Sequence, residues 1–252
     1  MSGAGLTGGG VLGLHRPALY RPVLYRPGLG LLVVLLLLLA AGRPHTVAAA
    51  DTTGMSIAAQ ATGSSVSVFR SPQAKRPFRV FRNPTADGAP LVFLVRRRVP
   101  GRDEVLLPIR PNGLLGWVRT RTVALSLNPY RVAVSLRGHL ITVWKLGRVI
   151  ERAPAGVGRS VVPTPTGSFY IVELLKQPDP RGPYGPYAFG LSAFSRVLYS
   201  FGGGPGQIGI HGTNEPALIG TDASHGCIRV ANSVITRLAG ILPLGTPVVI
   251  AR

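Results

Sequence analysis

A single cysteine, Cys227, stands among 252 residues, so no disulfide can close within the chain. No Cys-x-x-Cys or His-x-x-x-His spacing occurs either, which removes the usual signature of a zinc site. Acidic side chains number 9 against 28 basic ones, and lysine is nearly absent, with only Lys75, Lys145 and Lys176. Aromatic residues make up 7%. The longest apolar run, Leu29–Ala41, has 13 residues, short of the roughly 20 that span a bilayer comfortably as a helix. The glycine-rich stretch Gly202-Gly203-Gly204-Pro205-Gly206 lacks the Lys-Ser/Thr ending of a phosphate loop, which argues against nucleotide binding.

What is present begins with that apolar run. Arg16, Arg21 and Arg26 precede it, and Ala48-Ala49-Ala50-Asp51 follows. A basic segment, a short apolar core and an A-x-A site read as a secretory signal, so residues 1–50 are expected to be a signal peptide or signal anchor, cut after Ala50. No cysteine near the cut means no lipid-modified N-terminus of the lipoprotein type. Contact with the membrane is then expected only if this segment stays attached.

The remaining charge is spread. Residues 51–127 hold 12 basic and 4 acidic side chains, residues 128–252 hold 12 and 5, and the densest knot is Arg96-Arg97-Arg98. A basic surface attracts anionic partners over long range. Nucleic acid is not expected for an exported chain; anionic cell-wall polymer fits that compartment better. Gly 33 and Pro 23 exceed average usage while 46% of residues are hydrophobic, a globular, turn-rich composition.

Residues 51–64 are small and polar and are expected to form a flexible leader. From Ser65, short apolar bursts alternate with breakers: Val66–Phe69, Phe78–Phe81, Leu91–Val95, Val105–Leu107 and Gly116–Val118. Five short strands with tight turns predict a small β-rich accessory domain over residues 65–127. It contains no histidine and no cysteine. A second unit, residues 128–252, opens at Asn128-Pro129. Tyr130–Leu136 and His139–Trp144 flank Arg137-Gly138 and predict a hairpin. Further strands are expected at Phe169–Leu174, Val197–Phe201, Gln207–His211 and Thr246–Ala251. One short helix is expected over Val234–Ala239, capped by Asn232 or Ser233 and ended by Gly240. The fold class is therefore mostly β with a short helix.

The chemistry gathers around Cys227, in Ser224-His225-Gly226-Cys227-Ile228-Arg229, with His211 sixteen positions upstream. In an exported chain a lone thiol serves packing, an intermolecular bridge or nucleophilic attack, and two histidines with two glycines nearby favour attack. A neutral thiol is only a few per cent ionised at pH 7, so it needs an imidazole to accept its proton and hold an ion pair. His211 and His225 are both candidates. On an extended segment His225 and Cys227 would point the same way, and His211 would face the thiol from a neighbouring strand. Amides around Gly226 and Cys227 could hold an oxyanion. Arg229 could bind a carboxylate with both arms of its guanidinium.

These residues carry a resemblance. His211-Gly212-Thr213-Asn214 and Ser224-His225-Gly226-Cys227-Ile228-Arg229-Val230-x-Asn232 resemble the signature of the bacterial L,D-transpeptidase catalytic domain of YkuD type. Val162-Pro163-Thr164-Pro165-Thr166-Gly167-Ser168-Phe169 and Gly185-Pro186-Tyr187-Ala188 extend the likeness from about Tyr130 to Ala251. The family commonly has Ser after its first His, where this chain has Gly212. The resemblance implies Cys227 as acyl-accepting nucleophile and His211 as base, oriented by the Gly212 carbonyl. His225 and Gly226 would line the oxyanion site, and Arg229, Ser224 and Asn232 the substrate site. It further implies peptidoglycan stem peptides as substrate, 3→3 cross-links as product, and no metal or organic cofactor. Residues 65–126 resemble, more weakly, the SH3-like region that precedes this domain in some relatives.

Overall fold

The alternating bursts fold into two main sheets in the computed structural model, which describes residues Gly54–Arg252. The segment 1–50, read above as an export signal, lies outside them. The first sheet uses β1 (Ser56–Ala61), β4 (Val92–Val99), β5 (Arg102–Leu106), β6 (Leu115–Arg119) and β7 (Val123–Asn128), in the order β6-β5-β4-β1-β7. A separate hairpin of β2 (Ser65–Val68) and β3 (Arg79–Arg82) packs on it, with Phe69 bridging to Trp117. At Asn128-Pro129 the chain leaves for the second sheet. Its strands are β8 (Tyr130–Ser135), β9 (Leu140–Lys145), β10 (Arg148–Pro154), β12 (Gly167–Lys176), β13 (Tyr187–Phe194), β14 (Gln207–His211), β16 (Ile228–Arg229) and β17 (Pro247–Ala251). Their order is β10-β9-β8-β17-β12-β13-β14-β16. A minor pair joins β11 (Val157–Gly158) to β15 (Asp222–Ser224), and one helix, α1 (Asn232–Ala239), lies against β13 and β14. The fold is mostly β with a single α-helix among the described residues, as the patterning predicts.

Each sheet buries one face in a core of its own. Ala59, Val66, Phe93, Val105 and Leu107 form the core of the first; Ile141, Phe169, Phe189, Ile208, Ile210, Ile228 and Ile235 belong to that of the second. A third cluster, Leu94, Leu106 and Tyr170, joins the two. Each fully buried side chain of this size contributes about 1.5–3 kcal/mol, so the strands that carry the site are firmly held.

Two expectations need correction. Residues 56–61 are not part of a flexible leader: β1 sits between β4 and β7 and pairs with both. Its composition concealed this, because Ala58, Ala59 and Ala61 are buried without the bulk that marks a strand. Val197–Phe201 is not a strand either. The carbonyls of Ser195, Leu198 and Pro205 accept from the Arg110 guanidinium rather than from a neighbouring strand. The described residues nonetheless pack as one unit across both sheets.

Candidate active site

Strand alternation brings Cys227 and His211 together. In β14, Ile208 and Ile210 point into the core, which turns Gly209 and His211 to the opposite face. The parallel neighbour β16 aligns Ile228 with Ile210 and Arg229 with His211. Continuing that register sets Cys227 beside Gly209, and the Gly209 N–H donates to Cys227 Sγ at 3.3 Å. Both groups border Gly209: a Cβ there would touch Sγ at 4.0 Å and His211 Cδ2 at 3.9 Å, ordinary contacts, and would crowd only the Phe189 carbonyl oxygen, at 3.0 Å.

His211 is 4% exposed, and its Nδ1 donates to the Gly212 carbonyl at 2.6 Å. A carbonyl oxygen only accepts, so Nδ1 carries the proton and Nε2 keeps its lone pair. Burial, with help from the positive charge of Arg229, lowers the His211 pKa to about 4. Burial pushes the Cys227 thiol up, against the Gly209 N–H and Arg229, which pull it down. Both shifts favour the neutral thiol and imidazole over the thiolate–imidazolium pair that the residue types permit.

His225 lines the same pocket as Cys227 and His211, from its exposed side. Gly226 adopts φ +112°, so the segment is not extended as assumed, and His225 is exposed while Cys227 is half-buried. Arg159 Nη2 donates to His225 Nε2 at 2.6 Å, and the imidazole stacks on Phe201 with ring centroids 5.1 Å apart. The Gly226 amide is engaged too, donating to Ser224 Oγ at 3.1 Å, so it is not free to hold an oxyanion. Among the described residues no loop carbonyl accepts from the Cys227 amide.

Two residues assigned to the substrate site are occupied with the protein itself. Ser224 is 1% exposed, and its hydroxyl donates to the Cys227 carbonyl at 2.6 Å, closing the loop around the thiol. Asn232 does not line the pocket. Nor is it the helix cap; it begins α1, and its Oδ1 accepts from Thr213 N–H at 2.8 Å. It packs where a Cβ at Gly212 or Gly185 would collide with it, so Gly212 in place of Ser suits this contact. Arg229 does face the pocket. Its Nη1 pairs with Glu215 at 2.7 Å, and its Nε is buried without a partner.

The pocket holds about 80 Å³ and brings Cys227, His211, His225, Ser224 and Arg229 together with Pro183, Tyr184 and Phe201, which the sequence reading did not single out. The Tyr184 ring meets His211 edge-on at 4.8 Å. It directly precedes the Gly185-Pro186-Tyr187-Ala188 block, which was the available signal. Phe201 sits on the loop 195–206, which is clamped from the first sheet. Arg110 donates to Pro205, Ser195 and Leu198 carbonyls at 2.7, 3.1 and 2.8 Å, and Asn112 exchanges two hydrogen bonds with the Phe194 backbone.

Comparison with known proteins places the chain in a family. Residues 129–250 match the YkuD family model, described as an L,D-transpeptidase catalytic domain. The YkuD protein of Bacillus licheniformis is 41% identical over 120 residues, which are 48% of this chain and 64% of that protein. YkuD of Bacillus subtilis is 41% identical over 124 residues, 49% of this chain and 67% of that one. The chain thus spans about two thirds of the length of these relatives. Among solved structures, Bdellovibrio bacteriovorus Bd1075 is similar over 48% of this chain and 47% of its own, at 28% identity and a TM-score of 0.39. The chain belongs to the L,D-transpeptidase family, through a YkuD-type catalytic domain at residues 129–250.

Proposed function

We propose that this protein is an exported peptidoglycan L,D-transpeptidase that forms 3→3 cross-links through a Cys227 thioester. The observation that carries this reading is one pocket at the end of β14 and the start of β16: a lone thiol and an imidazole both line it, and the Gly212 carbonyl leaves Nε2 as the acceptor.

Because both groups favour the neutral form at rest, the proton moves during attack rather than before it. Sγ bonds to the carbonyl carbon of the third residue of a tetrapeptide stem while its proton passes to His211 Nε2. In this reading the Cys227 amide stabilises the oxyanion. As the C–N bond breaks, D-alanine leaves with the proton from Nε2, and a thioester remains. The side-chain amine of a second stem then attacks that carbonyl and gives a proton to Nε2, and the departing sulfur recovers it. Dividing one acyl transfer into two steps is the ordinary advantage of a covalent nucleophile. Neither step requires a metal or organic cofactor. Arg229 meets a stem carboxylate with the part of its guanidinium not paired to Glu215. The basic surface, 24 basic against 9 acidic side chains over residues 51–252, supports retention on anionic wall polymer.

The test is intact-mass analysis of the full chain and its Cys227→Ser variant with a carbapenem, followed by incubation with disaccharide-tetrapeptide. A covalent adduct on the wild type alone, and a 3→3 dimer with release of D-alanine, are expected. Release of D-alanine with tripeptide and no dimer would make water the acceptor and the enzyme a carboxypeptidase. No adduct would leave a wall-binding protein without thiol catalysis.

A further inference from the structure

Between the two sheets lies a cavity of about 490 Å³, within the range of small-ligand pockets and larger than the space above the thiol. Its walls are mainly apolar, with Phe81, Leu91, Val172 and Phe194 among them, and the loop between β3 and β4 forms one side.

One wall carries Glu173, a strand residue 7% exposed to solvent. A bulge between Ile171 and Glu173 breaks the alternation that would otherwise send both into the core, so the carboxylate faces the cavity instead. Opposite it on β13 is Gly190, where any side chain would collide with the carboxylate. Gln207 Nε2 donates to Glu173 Oε1 at 3.1 Å and to the Leu191 carbonyl at 3.0 Å, which fixes the carboxylate's direction. Among the described residues the other carboxylate oxygen has no hydrogen-bond partner.

A further acceptor residue lines the same space, the exposed Asp87, beside Thr85. Among the described residues neither Glu173 nor Asp87 belongs to an ion pair, although basic side chains greatly outnumber acidic ones. Arg82 is exposed at the rim.

We propose that this cavity binds a primary ammonium on an aliphatic chain, the side chain of a lysine-like residue in a peptide. An ammonium has three donors and no acceptor, matching a lining whose charged acceptors are the Glu173 and Asp87 carboxylates. The methylenes of such a chain pack against the apolar walls, as lysine stems do elsewhere. Burial and the charge of Asp87 both disfavour the ionised Glu173, and a cation between them reverses that penalty. The site is separate from the thiol: Gln207 and His211 are the two ends of β14, about 13 Å apart along an extended strand. The proposal stands without the transpeptidase reading; if that reading holds, a stem peptide with a side-chain amine is the occupant it supplies.

Calorimetric titration of the full chain with Nα-acetyl-lysine amide, beside its neutral isostere Nα-acetyl-norleucine amide, tests this. The lysine compound should bind, and the norleucine compound about tenfold more weakly or not at all. Glu173→Gln keeps the shape and the contact to Gln207 yet should weaken lysine binding about tenfold, the scale of one charged hydrogen bond. Asp87→Asn, in an exposed loop that cannot disturb the core, should weaken it severalfold. Cys227→Ala should leave binding unchanged. No binding, equal binding of the two compounds, or full affinity in both carboxylate variants overturns the proposal. Carbapenem acylation of the same samples reports the thiol site separately, so either reading can fail alone.

Discussion

The Nδ1 proton of His211 is held by the Gly212 carbonyl oxygen at 2.6 Å, inside a pocket where the imidazole is almost fully buried. That one bond selects the tautomer, and the tautomer separates the two histidines. His211 presents a free Nε2, whereas Nε2 of His225 already accepts from Arg159 on the exposed side of the loop.

His211→Ala should therefore slow acylation of Cys227 by about 10²–10⁴-fold, the usual effect of removing a general base. His225→Ala should cost far less, since the Cys227 amide and the thiol keep their places. Pre-steady-state acylation by a carbapenem measures both. A larger effect at His225 would reverse the assignment.

Alkylation gives an independent view of the neutral resting pair. Burial raises the Cys227 thiol, so its iodoacetamide rate should climb only at pH values above those of an unperturbed cysteine. A plateau of fast alkylation at neutral pH would instead indicate a standing thiolate.

Stability should fall with acid in a defined window. His211 titrates at about 4 in the folded protein against 6.5 when unfolded, so between those values the unfolded chain binds a proton that the folded chain refuses. Stability thus rises with pH from about 4 to about 6.5 and gains nothing further above it, for a total of about 3 kcal/mol. The raised pKa of Glu173 works in the opposite sense, favouring the folded state as pH falls. Comparing wild type with His211→Gln by urea unfolding at pH 4.5 and 7 isolates the histidine. Their stability difference should shift by about 2–3 kcal/mol in favour of the variant at low pH. A constant difference would contradict the buried neutral imidazole.

The clamp on the loop 195–206 predicts that the first sheet influences the site. Arg110→Ala removes three hydrogen bonds to loop carbonyls and leaves those carbonyls to water. Phe201 should lose its fixed place over His225, raising KM for the donor stem more than it lowers kcat. Amide exchange of the loop should quicken. Arg110→Lys should restore little, because one ammonium cannot reproduce the planar fork. Unchanged KM and exchange would mean that the loop holds itself.

Retention on isolated cell walls should drop steeply between low and high salt if the basic surface does the binding, because screening shortens the reach of surface charge. Salt-independent retention would point to specific recognition by the first sheet.

Much of this protein was legible from local sequence. The Ser224–Arg229 and His211–Thr213 blocks specify a loop and a strand end whose chemistry depends on residue identity and short spacing. Alternation in Gln207–His211 already placed the ring of His211 on the face away from Ile208 and Ile210. The same locality failed wherever a distant group decided the outcome. β1 is a central strand because β4 and β7 complete its hydrogen bonds, not because its small residues demand it. Val197–Phe201 has strand composition but becomes a loop, since a guanidinium 85–95 residues away takes its neighbouring carbonyls. Ser224 and Asn232 match the motif yet hold the backbone rather than face the substrate pocket with free polar groups. Tyr184 and Phe201 share a pocket with the thiol, and Glu173 shares a cavity with Asp87, only through sheet order and one bulge. The sequence by itself determined which atoms could react and the two-residue period that presents them. The tertiary structure decided which of them are buried, which are already bonded and which remain free, because those depend on contacts between segments far apart in the chain.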